Sequence, residues 1–130
     1  MKNILIVDDN KDLAEIYCTC LITEGFNVAI AHNSEKALEQ IQKSKPDLIL
    51  LDIIMPGLKG PELFTKLKEN PETKNIKIIF MTAYASIATP WGEMTTEKNI
   101  KKLGADGFLR KEMPLENFIN TIKQLMEEKL

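Results

Sequence analysis

These 130 residues include only one histidine and two cysteines, and aromatic side chains make up only 6%. Zinc sites draw on Cys and His clustered at short spacing, so one is excluded. Cys18 and Cys20 stand two apart in a segment that reads as a helix and point to nearly opposite faces. They can neither bridge each other nor form a common metal corner, and read as reduced thiols of a cytosolic protein. Positive charge is not in excess: 17 Lys and Arg face 19 Asp and Glu, for a net charge of -2. No Lys/Arg-rich run compensates, so the footprint of a nucleic-acid binder is missing. Long apolar runs are missing too. The first, Ile4 to Val7, is cut by Asp8-Asp9, far short of a signal segment or membrane helix. The expected location is the cytoplasm. Low-complexity stretches are absent, and 44% hydrophobic with 28% charged residues is ordinary globular composition. The length suits one domain over 1–130 with a real core.

What is there is a fivefold alternation of strand and helix. Asn3 to Val7 reads as a strand, followed by a helix from about Lys11 to Glu24 that Asn10 caps and Gly25 ends. Leu13, Ile16, Tyr17 and Leu21 give that helix its buried stripe. Phe26 to Ala31 is a second strand, and Asn33 caps a helix carrying Ala37, Leu38 and Ile41 inward. Lys45-Pro46 breaks this helix before a third strand, Leu48 to Asp52. Gly57, Gly60 and Pro61 open a helix with Leu63, Phe64 and Leu67 inward, which Asn70-Pro71 stops. Ile76 to Met81 reads as a doubly buried strand, and Asp106 to Arg110 as a fifth. In the last helix Leu115, Phe118, Ile119, Ile122, Leu125 and Met126 share one face. Alternation without hairpin signals implies an α/β domain, a parallel sheet covered on both faces with right-handed crossovers.

In such folds the site lies at the carboxyl ends of the strands. That edge collects Asp8 and Asp9 after the first strand, Asp52 at the end of the third, Thr82 after the fourth and Lys111 after the fifth. Two ionised carboxylates about 4 Å apart repel by about 4 kcal/mol at an effective dielectric near 20. A hard divalent cation, most plausibly Mg²⁺, relieves that repulsion and accepts carboxylate oxygens. His32 reads as an exposed loop residue without a catalytic role.

Val7-Asp8-Asp9-Asn10, Leu51-Asp52-Ile53-Ile54-Met55-Pro56-Gly57, Met81-Thr82-Ala83-Tyr84 and Gly104-Ala105-Asp106-Gly107-Phe108-Leu109-Arg110-Lys111 together resemble, in order and approximate spacing, the receiver domain of two-component response regulators. The resemblance covers nearly the whole chain. It implies a flavodoxin-like (βα)5 domain with strand order 2-1-3-4-5. It also implies that Asp52 accepts a phosphoryl group from a phosphohistidine on a sensor histidine kinase or histidine phosphotransfer protein. On the family pattern Asp9 and Asp52 ligate Mg²⁺, Ile54 adds its backbone carbonyl and Asp8 acts through water. Thr82, the Ala83 N–H and Lys111 contact the phosphoryl oxygens, and Thr82 and Phe108 form the switch that alters the face around the fifth strand and its flanking helices. Phe108 has no hydroxyl to satisfy, so its inward rotamer is expected to be more populated before phosphorylation than that of a tyrosine would be. The downstream protein target is unknown, and phosphorylation-dependent dimerisation stays open.

Three departures limit the analogy. Glu112 stands where the family usually has a cis proline. The stretch between Thr82 and Gly104 is long and contains Pro90-Trp91-Gly92, where Trp91 is either a partner-binding anchor or a cover for its own loop. Ile54 and Tyr84 flank the water path and predict a long-lived phospho-Asp52. Two rival functions remain on the sequence alone. A small Mg²⁺-dependent phosphatase with an Asp nucleophile would want Asp-x-Asp after the first strand, where this chain has Asp8-Asp9-Asn10. A phosphorylation-independent scaffold would lack an acid or the lysine, and none is missing. The expectation is a stand-alone receiver, since no kinase or DNA-binding segment fits beyond the last helix.

Overall fold

Five short apolar runs pair into one parallel sheet. The computed structural model describes residues 2–52, 60–82 and 104–127. Within them the strands are β1 (Asn3–Val7), β2 (Asn27–Ala31), β3 (Leu48–Asp52), β4 (Lys77–Thr82) and β5 (Gly107–Arg110). Their order is β2-β1-β3-β4-β5 and every pairing is parallel, the architecture expected of the sequence. The helices are α1 (Lys11–Thr23), α2 (Ser34–Lys43), α3 (Gly60–Glu69) and α4 (Leu115–Glu127).

The twofold period of a strand divides the core into two layers. Leu5, Val7, Ile49, Leu51, Ile78 and Phe80 face α2 and α3, meeting Ala37, Ile41, Leu63, Phe64 and Leu67. Their neighbours Ile4, Ile6, Leu48, Leu50, Ile79 and Met81 face α1 and α4, meeting Ala14, Tyr17, Leu21, Phe118, Ile119, Ile122 and Met126. β3, central in the sheet, is buried at every residue, as a strand covered on both faces must be. Tyr17 of α1 and Phe118 of α4 stack with ring centroids 4.3 Å apart, tying the two helices of one layer together.

Local chemistry sets the boundaries. The Asn10 side chain accepts from the Leu13 N–H at 3.1 Å and that of Asn33 from the Lys36 N–H at 2.8 Å, so both helices start where a capping asparagine satisfies a free donor. Gly25 ends α1 with a φ of +98°, which a side chain would disfavour. The fifth strand starts one residue later than expected because Asp106 pins it to β4 from outside. Its N–H donates to the Ile78 carbonyl and its carboxylate accepts from the Ile78 N–H, at 2.9 and 2.8 Å.

Two expected core residues lie outside. Ile16 is 48% exposed, because the buried stripe of α1 runs through Ala14, Tyr17 and Leu21 and a residue two positions from Ala14 falls on the opposite side. Leu115 is 36% exposed, as the first residue of α4 before its apolar face meets the sheet. The Lys111–Glu112 peptide is trans. Among the described residues no helix is long and apolar enough to cross a membrane.

Candidate functional site

The strands deliver their carboxyl-terminal residues to one edge of the sheet. β1 and β3 pair with Val7 beside Leu51, so the next residues, Asp8 and Asp52, come side by side. Both are buried, at 0% and 4% exposure, whereas Asp9 is exposed. One carboxylate oxygen from each of Asp8, Asp9 and Asp52 lies within 4.8 Å of the others. The three acids that the sequence placed at strand ends therefore share a pocket.

Lys111, directly after β5, reaches across the edge into this pocket. Its Nζ lies 3.1 Å from Asp52 Oδ2, donating a hydrogen bond, and 2.8 Å from Asp8 Oδ2. The second contact is an ion pair whose alignment falls short of a hydrogen bond, and it leaves Asp8 Oδ2 buried without a hydrogen-bond donor among the described residues. Asp8 Oδ1 is engaged, accepting from the Asn10 N–H at 3.0 Å.

Burial dominates the electrostatics. It pushes the Asp52 carboxyl up to about 7; Asp8 adds to the rise, and Lys111 opposes it. Burial alone would lower Lys111, but the Asp52 and Asp8 carboxylates outweigh it and hold the ammonium above the ordinary lysine value. Tyr17 is pushed up to about 12, first by burial and then by Asp8, Glu112 and Asp52, which places its phenol within electrostatic reach of the pocket.

Three carboxylates against one ammonium leave uncompensated negative charge facing a shared space. Hard oxygens at that spacing, one of them buried without a donor, fit a small divalent cation such as Mg²⁺. Thr82 closes β4, beside Arg110 in the sheet register, so the backbone places it at the same edge. Ile54, Ala83, Tyr84 and the Pro90-Trp91-Gly92 stretch lie outside the described residues. Phe108 sits in β5 beside Phe80, half-buried against the α2/α3 layer, with the Arg110 guanidinium 5.9 Å from its ring centre.

The sequence reading missed one neighbour of the pocket. His32 is not an exposed loop residue but half-buried, with Nδ1 3.2 Å from the Asp8 carbonyl oxygen. The signal was available: His32 directly follows β2 at the edge that supplied every other candidate.

Comparison with known proteins agrees with this geometry. Over 125 residues the chain is 32% identical to sporulation initiation phosphotransferase F of Bacillus subtilis, covering 96% of this chain and 94% of that protein. It is 31% identical over 129 residues to histidine kinase P4 of Formosa agariphila, covering 99% of this chain but only 9% of that much longer protein. Among solved structures, the response regulator protein TrrA of Thermotoga maritima, in complex with Mg²⁺ and BeF, superposes with a TM-score of 0.77 at 30% identity, covering 96% of this chain and 99% of that one. The sequence profile of the response regulator receiver domain matches residues 4–123, and the chain belongs to that family of two-component signalling domains.

Proposed function

We propose that residues 1–130 act as one receiver domain that accepts a phosphoryl group on Asp52 from a phosphohistidine of a sensor histidine kinase or histidine phosphotransfer protein. The observation that carries the reading is the surroundings of Asp52: a carboxylate 4% exposed, with a lysine ammonium at 3.1 Å and two further carboxylates in the same pocket. A buried nucleophile with an ammonium and two further acids around it suits phosphoryl transfer, which asks a protein mainly for positioning and charge neutralisation.

In the step itself an Asp52 carboxylate oxygen forms the new O–P bond as the N–P bond to the donor imidazole breaks. Lys111 needs only a small movement from Asp52 Oδ2 to meet a phosphoryl oxygen, and an ammonium on a flexible stem can follow it. The Thr82 hydroxyl and the Ala83 N–H take the remaining oxygens. Asp9 and Asp52 would hold Mg²⁺ together with the Ile54 carbonyl, and Asp8 would assist through water. When bound, Mg²⁺ neutralises charge on the acids and the incoming phosphoryl group. A structural relative solved with Mg²⁺ and BeF supports Mg²⁺ as the metal. Thr82 and Phe108 relay the event to the face around β5, which meets a protein target. The reading assigns the protein to the cytoplasm and gives it no turnover beyond its own phosphorylation and slow hydrolysis.

Incubation with acetyl phosphate and Mg²⁺, followed by intact mass measurement, tests this. Wild type should gain one phosphoryl group and Asp52→Ala none. No uptake by folded wild type would favour a scaffold, and rapid turnover of the donor a phosphatase.

A further inference from the structure

The only histidine of the chain contacts the backbone of the acidic cluster at Asp8. A carbonyl oxygen can only accept, so in the 3.2 Å contact to Asp8 the His32 Nδ1 carries the proton. The end of β2 thus holds the Asp8 backbone on both sides. The Asp8 N–H donates to the Ala31 carbonyl at 3.1 Å, and the Asp8 carbonyl accepts from His32. That carbonyl belongs to the rigid peptide plane joining Asp8 to Asp9, so its orientation fixes where the Asp9 Cα stands. Asp9 is exposed, and packing does little to hold it. His32 is not itself part of the ligand group, which among the described residues comprises Asp8, Asp9 and Asp52.

We propose that His32 is a positioning residue: its Nδ1–H, donated to the Asp8 carbonyl, fixes the Asp8–Asp9 peptide and aims the Asp9 carboxylate into the pocket shared with Asp8 and Asp52. The inference rests on the Mg²⁺-binding reading above and adds a residue to it. Partners that orient metal ligands commonly change metal affinity by about 10- to 100-fold when removed. A backbone carbonyl one peptide away from the ligand belongs at the lower end of that range.

Two measurements test it. In ¹⁵N-labelled wild type at pH about 8.5, above the ordinary histidine range, long-range proton–nitrogen spectra should show His32 protonated at Nδ1, the tautomer less favoured in free histidine. Protonation at Nε2 would overturn the proposal. Mg²⁺ titrations followed by backbone amide shifts should show about 10-fold weaker binding in His32→Ala. In His32→Asn, whose side-chain amide can place its N–H near the position of Nδ1, most of the loss should be recovered. An alanine variant that binds Mg²⁺ like wild type, or an asparagine variant as weak as alanine, would overturn it. Wild type that keeps the Nδ1–H tautomer but takes up no Mg²⁺ would remove the metal reading and this proposal with it. Wild type that binds Mg²⁺ with the Nε2–H tautomer overturns this proposal alone.

Discussion

Lys111 and Asp52, far apart in the chain, meet at 3.1 Å across the end of the sheet, each largely removed from water. Burial wins over this pairing, since the Asp52 carboxyl stands at about 7 rather than at its ordinary 3.8. In the unfolded chain it releases its proton near the ordinary value, so between about pH 4 and pH 7 the folded state binds more proton and stability falls as pH rises. Above about pH 7 the loss is complete. Asp52→Asn, which keeps the shape and removes the charge, should therefore stabilise the metal-free protein by a few kcal/mol at pH 8, and by much less near pH 4. Thermal denaturation at the two pH values checks this. An equal effect at both would contradict it.

Lys111 sits 2.8 and 3.1 Å from oxygens of Asp8 and Asp52, where it would compete with a metal for them. Lys111→Met should lose about 3 kcal/mol of metal-free stability at pH 8, because it leaves buried carboxylates without their cation. The same variant should bind Mg²⁺ more tightly, by about 3- to 10-fold, and Mg²⁺ should restore much of its stability. Calorimetric titration decides: weaker Mg²⁺ binding in the variant would show that the ammonium does not compete.

The Tyr17 ring is well placed against Phe118, but its buried hydroxyl has no hydrogen-bond partner among the described residues. A buried hydroxyl without a partner costs about 1–3 kcal/mol. Tyr17→Phe should accordingly stabilise the protein by about 1 kcal/mol, whereas Tyr17→Ala should lose about 3–5 kcal/mol. Ultraviolet titration of the folded wild type should show one phenol resisting ionisation until about pH 12, since burial and the acids around it disfavour the phenolate. A Tyr17→Phe variant less stable than wild type would show that the hydroxyl has a partner in solution.

Phe108 and Arg110 lie on one face of β5, with the guanidinium over the half-buried ring. A cation–π contact at an exposed site contributes about 0.5–1 kcal/mol, enough to bias a rotamer equilibrium about two- to fivefold. Arg110→Ala should raise the inward population of Phe108 by that factor in the unphosphorylated protein, read from ring proton shifts. Unchanged ring shifts would mean that the arginine does not hold the ring.

The strands and the acidic pocket were legible in the sequence because both follow from short-range patterns. An apolar run ending in Asp8-Asp9 or in Asp52 announces a buried strand and the residue at its end in one reading, and parallel pairing then brings the ends together. What depends on partners distant in the chain was not legible. Ile16 counts as apolar but lies 48% exposed, because the buried stripe of α1 runs through Ala14, Tyr17 and Leu21. Asp106 looks like the first residue of β5, yet its side chain is spent on the Ile78 N–H. His32 looks like an exposed loop residue until the register of β1 and β2 sets it against the Asp8 carbonyl. Nothing local in the sequence says that Lys111 forms an ion pair with Asp8 as well as Asp52, since that depends on how far β5 stands from β1.

The most direct test of the account is chemical mapping of the modified residue. After reaction with a phosphohistidine donor and Mg²⁺, borohydride converts an acyl phosphate to the corresponding alcohol, and peptide mass mapping locates it. Homoserine is expected at position 52 alone, dependent on Mg²⁺. Modification at Asp8 or Asp9, or none in protein shown to be folded, would contradict it.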